Sequence, residues 1–135
     1  MANKLLYEPR SPRGDHGKLV IDNRVPLSIP FYFEWNDYDE FNKPIPHIIK
    51  DTDIIKGVLK EQARYNADIL TFEFRNVINN TILLEIPTKD LQILRPGIEY
   101  VLGFTLYSNE DTPELALLKE LPVVVERVMV WANQL

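Results

Sequence analysis

Leu27, Ile29, Phe31, Phe33 and Trp35 alternate with Ser28, Pro30, Tyr32 and Glu34, the period of a strand with one face buried and one face wet. Pro30 has no N–H to give a ladder, so this strand lies at a sheet edge or carries a bulge there. The same period returns in Leu70, Phe72 and Phe74, and again in Ile82, Leu84 and Ile86. The asparagine-rich stretch 76–80 between these two runs predicts a hairpin. Pro87 ends the second run, and Leu91 and Leu94 predict one helical turn folded back on the core. The longest alternation, Ile98, Tyr100, Leu102, Phe104 and Leu106, follows Pro96-Gly97. A polar turn at 108–113 then leads to the apolar runs Val123–Val125 and Val128–Val130.

One segment fits both periods. Ile54, Ile55, Val58, Leu59, Gln62 and Ala63 fall at helical spacing with Thr52 as a cap. Ile55, Gly57 and Leu59 also make one face of a strand, and Gly57 disfavours a helix. Between the first strand and this segment, 36–51 reads as a long polar connection holding Asp37, Asp39, Glu40, Pro44, Pro46 and His47. Residues 1–26 read as an extended arm: Pro9, Pro12 and Gly14 sit among charges, and only Leu19-Val20-Ile21 makes a short strand. The expectation is therefore an all-β antiparallel sandwich at 27–135, with an N-terminal arm at 1–26 and one helical turn.

Composition narrows the function. The chain has 135 residues, 45% of them apolar and 26% charged, enough to bury one core. A net charge of −5, with Lys and Arg scattered, argues against nucleic acid and against an anionic membrane surface. No run approaches the ~20 apolar residues that span a bilayer. Cysteine is absent, which removes disulfides, thiolate metal sites and thiol nucleophiles. His16 and His47 stand outside any serine–histidine or metal–histidine pattern, and none of the five glycines lies in a phosphate-binding loop, so neither enzyme nor cofactor is expected.

The carboxylates around His47 are the one concentration of potential cation ligands, but they lack the calcium-loop spacing and its central glycine, and no metal is expected. Arg13-Gly14-Asp15 and the sequon Asn79-Asn80-Thr81 are short enough to arise by chance. Tyr32, Tyr38 and Phe41 are candidates for a recognition patch, and Leu5, Leu6 and Tyr7 for contacts made by the arm.

Leu94-Arg95-Pro96-Gly97-Ile98-Glu99-Tyr100 resembles the corner before a late strand in immunoglobulin-like and fibronectin type III sandwiches. There a tyrosine hydroxyl bonds back to nearby backbone, the role Tyr100 would take, with Pro96 and Gly97 shaping the turn. The order of elements from Leu27 to Trp131 also resembles the N-terminal β-sandwich domain of bacteriophage baseplate upper proteins and related tail or fibre attachment domains. The matching features are an Asp-rich loop, a strand near a glycine in Asp53-Ile54-Ile55-Lys56-Gly57, and the alternating Asp68–Phe74. That likeness implies a strand at 54–62. It implies a non-enzymatic virion subunit, an adaptor or capsid decoration assembled in the host cytoplasm, whose partners are other virion proteins or further copies of itself. The alternative is a fibronectin-like ligand-binding or adhesion module using the 36–51 loop.

Overall fold

The computed structural model describes residues 4–5, 17–62 and 67–126. The strands are β1 (Lys4–Leu5), β2 (Leu19–Ile21), β3 (Leu27–Tyr32), β4 (Asn36–Tyr38), β5 (Pro44–Pro46), β6 (Ile54–Glu61), β7 (Asp68–Arg75), β8 (Thr81–Ile86), β9 (Glu99–Tyr107) and β10 (Pro113–Val125). The helical turn is α1 (Thr88–Leu91). The fold is all-β. Six strands form one sheet in the order β1-β2-β10-β9-β6-β7, β3 and β8 form a second, and β4 and β5 a third.

Alternation becomes burial wherever a strand faces the core. In β3, Leu27, Ile29 and Phe31 are buried while Ser28, Pro30 and Tyr32 are exposed. In β8, Ile82, Leu84 and Ile86 are buried. These two inner faces lie against β9. Phe104 meets Phe31 and Phe33 edge-on, with ring centroids 5.2 and 5.9 Å apart, and Phe74 of β7 at 6.1 Å. The two layers are joined at this aromatic cluster.

Residues 54–61 are strand, and Gly57 shows why helix loses. Gly57 lies opposite Phe104 in the β6–β9 register. A Cβ on Gly57 would stand 2.6 Å from Phe104 Cε1, so the glycine leaves the space that the ring fills. The helical spacing of Ile54, Ile55, Val58 and Leu59 arises because Ile54 and Ile55 are both buried at the strand's start.

Three expectations need correction. First, 70–74 and 82–86 do not pair with each other. β7 pairs with β6 and β8 with β3, so the chain crosses between layers at 76–80. The crossing is held by a tight turn in which Thr81 N–H donates to Ile78 O, with left-handed Asn79 and Asn80 (φ 54° and 52°) at its centre. Second, 36–51 is not merely a connection: it contains the β4–β5 hairpin. Third, pairing is not antiparallel throughout, because β2 runs parallel to β10, with Leu19 beside Val123. A parallel pair needs a long crossover, and here all the intervening strands serve as one.

Leu19 and Ile21 are fully buried, so β2, within the 1–26 segment, belongs to the core. Lys4–Leu5 pairs with Val20 and Leu19 of the same chain and forms the sheet's edge. Leu6, Tyr7, Arg13-Gly14-Asp15, His16, Ala63, Val128–Val130 and Trp131 lie outside the described residues. Pro30 sits in a strand whose one ladder partner, among the described residues, is β8.

Two clasps hold the ends of the layers. Asp22, buried at the end of β2, accepts from Arg24 N–H and Nε at 3.0 Å and from Nη2 at 3.1 Å. Asn23 Nδ2 donates to Leu94 O at 3.0 Å, and Gln92 Nε2 donates to Asn23 O at 2.7 Å, tying the β2–β3 turn to the segment after α1. Leu91 and Leu94 are both buried beneath it.

Replacing Gly57 with alanine is expected to destabilise the fold by about 1–3 kcal/mol, because Phe104 is enclosed by three other rings and cannot yield. Urea denaturation measures this, and an unchanged midpoint contradicts the packing argument. A second test concerns acid. The hydrogen bonds from Arg24, more than any other cause, hold the Asp22 carboxyl below its ordinary 3.8. A carboxyl with a depressed folded pKa stabilises fully above its unfolded value and loses that contribution as pH falls through the folded one. Asp22→Asn should therefore melt lower than the parent at neutral pH, and the gap should narrow in strong acid.

Candidate functional site

Among the residues whose burial is described, β4 and β5 are the strands exposed at every position. The tip of their hairpin is set by Asp39. The Asp39 carboxylate Oδ1 accepts from Phe41 N–H at 2.8 Å and Lys43 N–H at 2.9 Å, while Asn42 takes the left-handed φ of 62° that closes a three-residue loop. Cross-strand pairs Asn36–Pro46, Asp37–Ile45 and Tyr38–Pro44 fix which side chains share a face. Tyr38, Pro44 and Pro46 lie on one face, and Asp37 and Ile45 on the other.

The base of the hairpin is anchored by aromatic and polar contacts. His47 N–H donates to Trp35 O at 2.9 Å, and the imidazole stacks on the Trp35 indole with centroids 4.4 Å apart. His47 Nδ1 lies 2.6 Å from Asp37 Oδ2. A carboxylate only accepts, so Nδ1 is the donor of this pair and Nε2 is the ring's other nitrogen. That Nε2 is buried without a hydrogen-bond partner among the described residues. Trp35 is half-buried against the core, as a near-core residue.

Asn80 secures this base to the core. Its buried side chain accepts from Ile49 N–H at 2.9 Å and donates to His47 O at 2.9 Å and Phe33 O at 3.1 Å. Its own carbonyl accepts from Phe33 N–H at 2.9 Å. One amide thus joins the end of β3, the exit of the hairpin and the crossover turn. No periodicity marked Asn80, although an Asn-Asn pair in a turn is the available signal.

The hairpin and its exit carry large apolar surface. Tyr38 is 64% exposed, Phe41 74%, Ile45 47% and Ile48 75%. Tyr38 and Phe41 therefore sit together on this element, while Tyr32 projects from the outer face of β3 at 38% exposure. The nearby carboxylates are occupied locally: Asp37 by His47, Asp39 by the loop and Asp53 by Lys50 N–H at 2.9 Å. Among the described residues no three His, Asp or Glu converge as metal ligands.

A shallow groove of about 450 Å³ crosses the outer face of β6, β7 and β9, lined by Lys56, Lys60, Thr71, Glu73, Thr105 and Tyr107. Its charges are mutually satisfied. Lys56 Nζ donates to Glu110 O at 2.6 Å and lies 4.5 Å from the Tyr107 ring centre, and Lys60 is 3.5 Å from Asp68. Arg75 bonds Glu110 and Glu73, which raises the guanidinium's affinity for its proton and holds the Glu110 carboxyl below the ordinary range. This face behaves as a solvated sheet surface.

Pro96 and Gly97 form the turn expected before β9, with Gly97 at φ 86° and Ile98 N–H directed to Arg95 O at 3.4 Å. Arg95 N–H donates to Tyr100 Oη at 2.9 Å. This corner is structural and lies apart from the hairpin residues in sequence and in sheet. Comparison with protein-family models, with curated proteins and with solved structures finds no match.

Asn80→Ala is expected to cost about 2–4 kcal/mol, through the unsatisfied Ile49 N–H and the loss of a residue suited to φ 52°. Asn80→Gly restores the backbone freedom but not the side-chain bonds. Both variants should speed hydrogen exchange at Ile49, whereas Asn80→Gly should recover part of the melting temperature. Slow exchange at Ile49 in both would show that the side chain does not anchor the hairpin.

Proposed function

We propose that this chain is a non-catalytic assembly module, an adaptor or decorating subunit of a virus particle, which docks through its projecting β4–β5 hairpin and its sheet edges. The observation carrying the proposal is the hairpin itself: a two-stranded ribbon is marginal on its own, yet this one displays Tyr38, Phe41 and Ile45 to solvent on a buried anchor. Apolar anchors held on a rigid base are the usual source of interface energy. Pro44 and Pro46 in β5 limit its use as a ladder template and favour contact through side chains.

The reading includes an immunoglobulin-like sandwich. The order β2-β10-β9-β6-β7 facing β3-β8 supports it, as does the parallel neighbour at β10, and Tyr100 bonds backward at the start of β9 as the corner tyrosine of such sandwiches does. The likeness to phage baseplate and tail attachment domains, carried by the order of strands from Leu27 onward, supplies the virion setting. Occupied carboxylates at Asp37, Asp39 and Asp53 weigh against the ligand-binding alternative insofar as it needs a cation.

The test uses the cells that make the chain naturally. The parent chain should co-sediment with large particles in a density gradient, and the variant carrying Tyr38→Ser, Phe41→Ser and Ile45→Ser should stay at the top while melting at nearly the parent temperature. A parent chain that stays with free proteins sinks the proposal.

A further inference from the structure

The hairpin's exposed apolar side chains stand in the most acidic part of the chain. Residues 34–53 hold six carboxylates, Glu34, Asp37, Asp39, Glu40, Asp51 and Asp53, against two lysines, Lys43 and Lys50. With histidine neutral, this stretch carries four of the five net negative charges, and the rest of the chain is close to balanced. Three of the six carboxylates serve the fold: Asp37 holds His47, Asp39 closes the loop and Asp53 accepts from Lys50 N–H. Glu34, Glu40 and Asp51 are different. They are exposed and make no hydrogen bond or ion pair among the described residues. Glu40 adjoins Phe41 at the tip, and Glu34 and Asp51 flank the anchored base in sequence. The apolar side chains are thus accompanied by negative charge that the fold does not use.

We infer that the hairpin docks into an apolar recess on a different protein, and that lysine or arginine side chains border this recess. Tyr38 and Ile45 lie on opposite faces of the ribbon, so covering both takes a recess and not a flat surface. Burial of Tyr38, Phe41, Ile45 and Ile48 supplies the affinity, while the facing charges speed encounter and set orientation. Glu34, Glu40 and Asp51 would repel an anionic membrane or a nucleic acid. A second copy of this chain does not meet the requirement either. Its hairpin carries the same negative charge, and its Arg24, Lys60 and Arg75 are already paired with Asp22, Asp68 and Glu73. The inference deepens the assembly reading by naming the chemistry of the partner, and it rests on that reading.

The experiment titrates particles from the density gradient with the purified, labelled full chain at salt concentrations from about 0.05 to 0.5 M. The parent's affinity should fall by about tenfold across that range. A variant carrying Glu34→Lys, Glu40→Lys and Asp51→Lys should bind about tenfold more weakly than the parent at low salt, and the gap should close at high salt. A neutral variant with Glu34→Gln, Glu40→Gln and Asp51→Asn should fall between the two. All three positions are exposed, so both variants should melt close to the parent. Parent binding that salt leaves unchanged overturns the inference, as does a lysine variant that binds as tightly as the parent. If that variant binds fully while the serine variant of Tyr38, Phe41 and Ile45 does not, the basic partner is rejected and the assembly reading stands. A parent chain that does not bind particles removes both.

Discussion

The close approach of Phe104 to Gly57 is the contact on which both layers depend. β9 lies at the middle of the larger sheet, and Phe104 is the residue through which that sheet reaches Phe31 and Phe33 of the smaller one. The ring can lie there only because its neighbour in the ladder contributes no side chain. A glycine within a strand normally costs stability, through entropy and lost packing. Here that cost is offset by burial of a whole aromatic ring, which contributes on the order of 2–3 kcal/mol. Gly103 fills a comparable role one strand over, where a Cβ would meet the backbone of Lys119 at 2.9 Å beside an irregularity in β10.

Asparagine does the work at the chain's tight places. Asn42, Asn76, Asn79 and Asn80 are the non-glycine residues with left-handed backbone among those described. Each reverses or redirects the chain where a β-branched residue would be strained. Asn80 adds a side chain whose amide substitutes for three missing backbone partners. This lets the hairpin project from the core without loosening its root. The same economy holds at the β2–β3 turn, where Asp22 and Asn23 satisfy backbone and neighbour together.

The sequence pattern was most informative about which face each strand buries. Leu27–Phe33, Ile82–Ile86 and Leu102–Leu106 alternate between buried and more exposed positions, as the period of two indicates. It was much less informative about neighbours, because a period of two records a face and carries nothing about the adjacent strand. That is why Leu70–Phe74 and Ile82–Ile86, close in sequence around a turn, looked like partners and are not. The β4–β5 hairpin was hidden for a different reason: Asn36–Tyr38 and Pro44–Pro46 bury nothing, so no alternation develops. Tyr38 and Phe41 were legible as aromatic residues in a polar stretch. The hairpin's anchorage through Asn80 depends on contacts between segments remote in the chain.

The parallel pairing of β2 with β10 sets Leu19 beside Val123, so the sheet closes only after nearly the whole described chain has been made. Pairings between distant residues must be reached against the entropy of a large loop, and folds that depend on them form slowly. Until β10 arrives, β2 has only the two residues of β1 as ladder partners among the described residues, and the inner faces of β9 and β3 lack part of their cover. The nascent chain thus passes through a period in which apolar strands are exposed. Prolines at 30, 44 and 46 and short strands at the sheet's margin are the features that discourage wrong pairing during that interval.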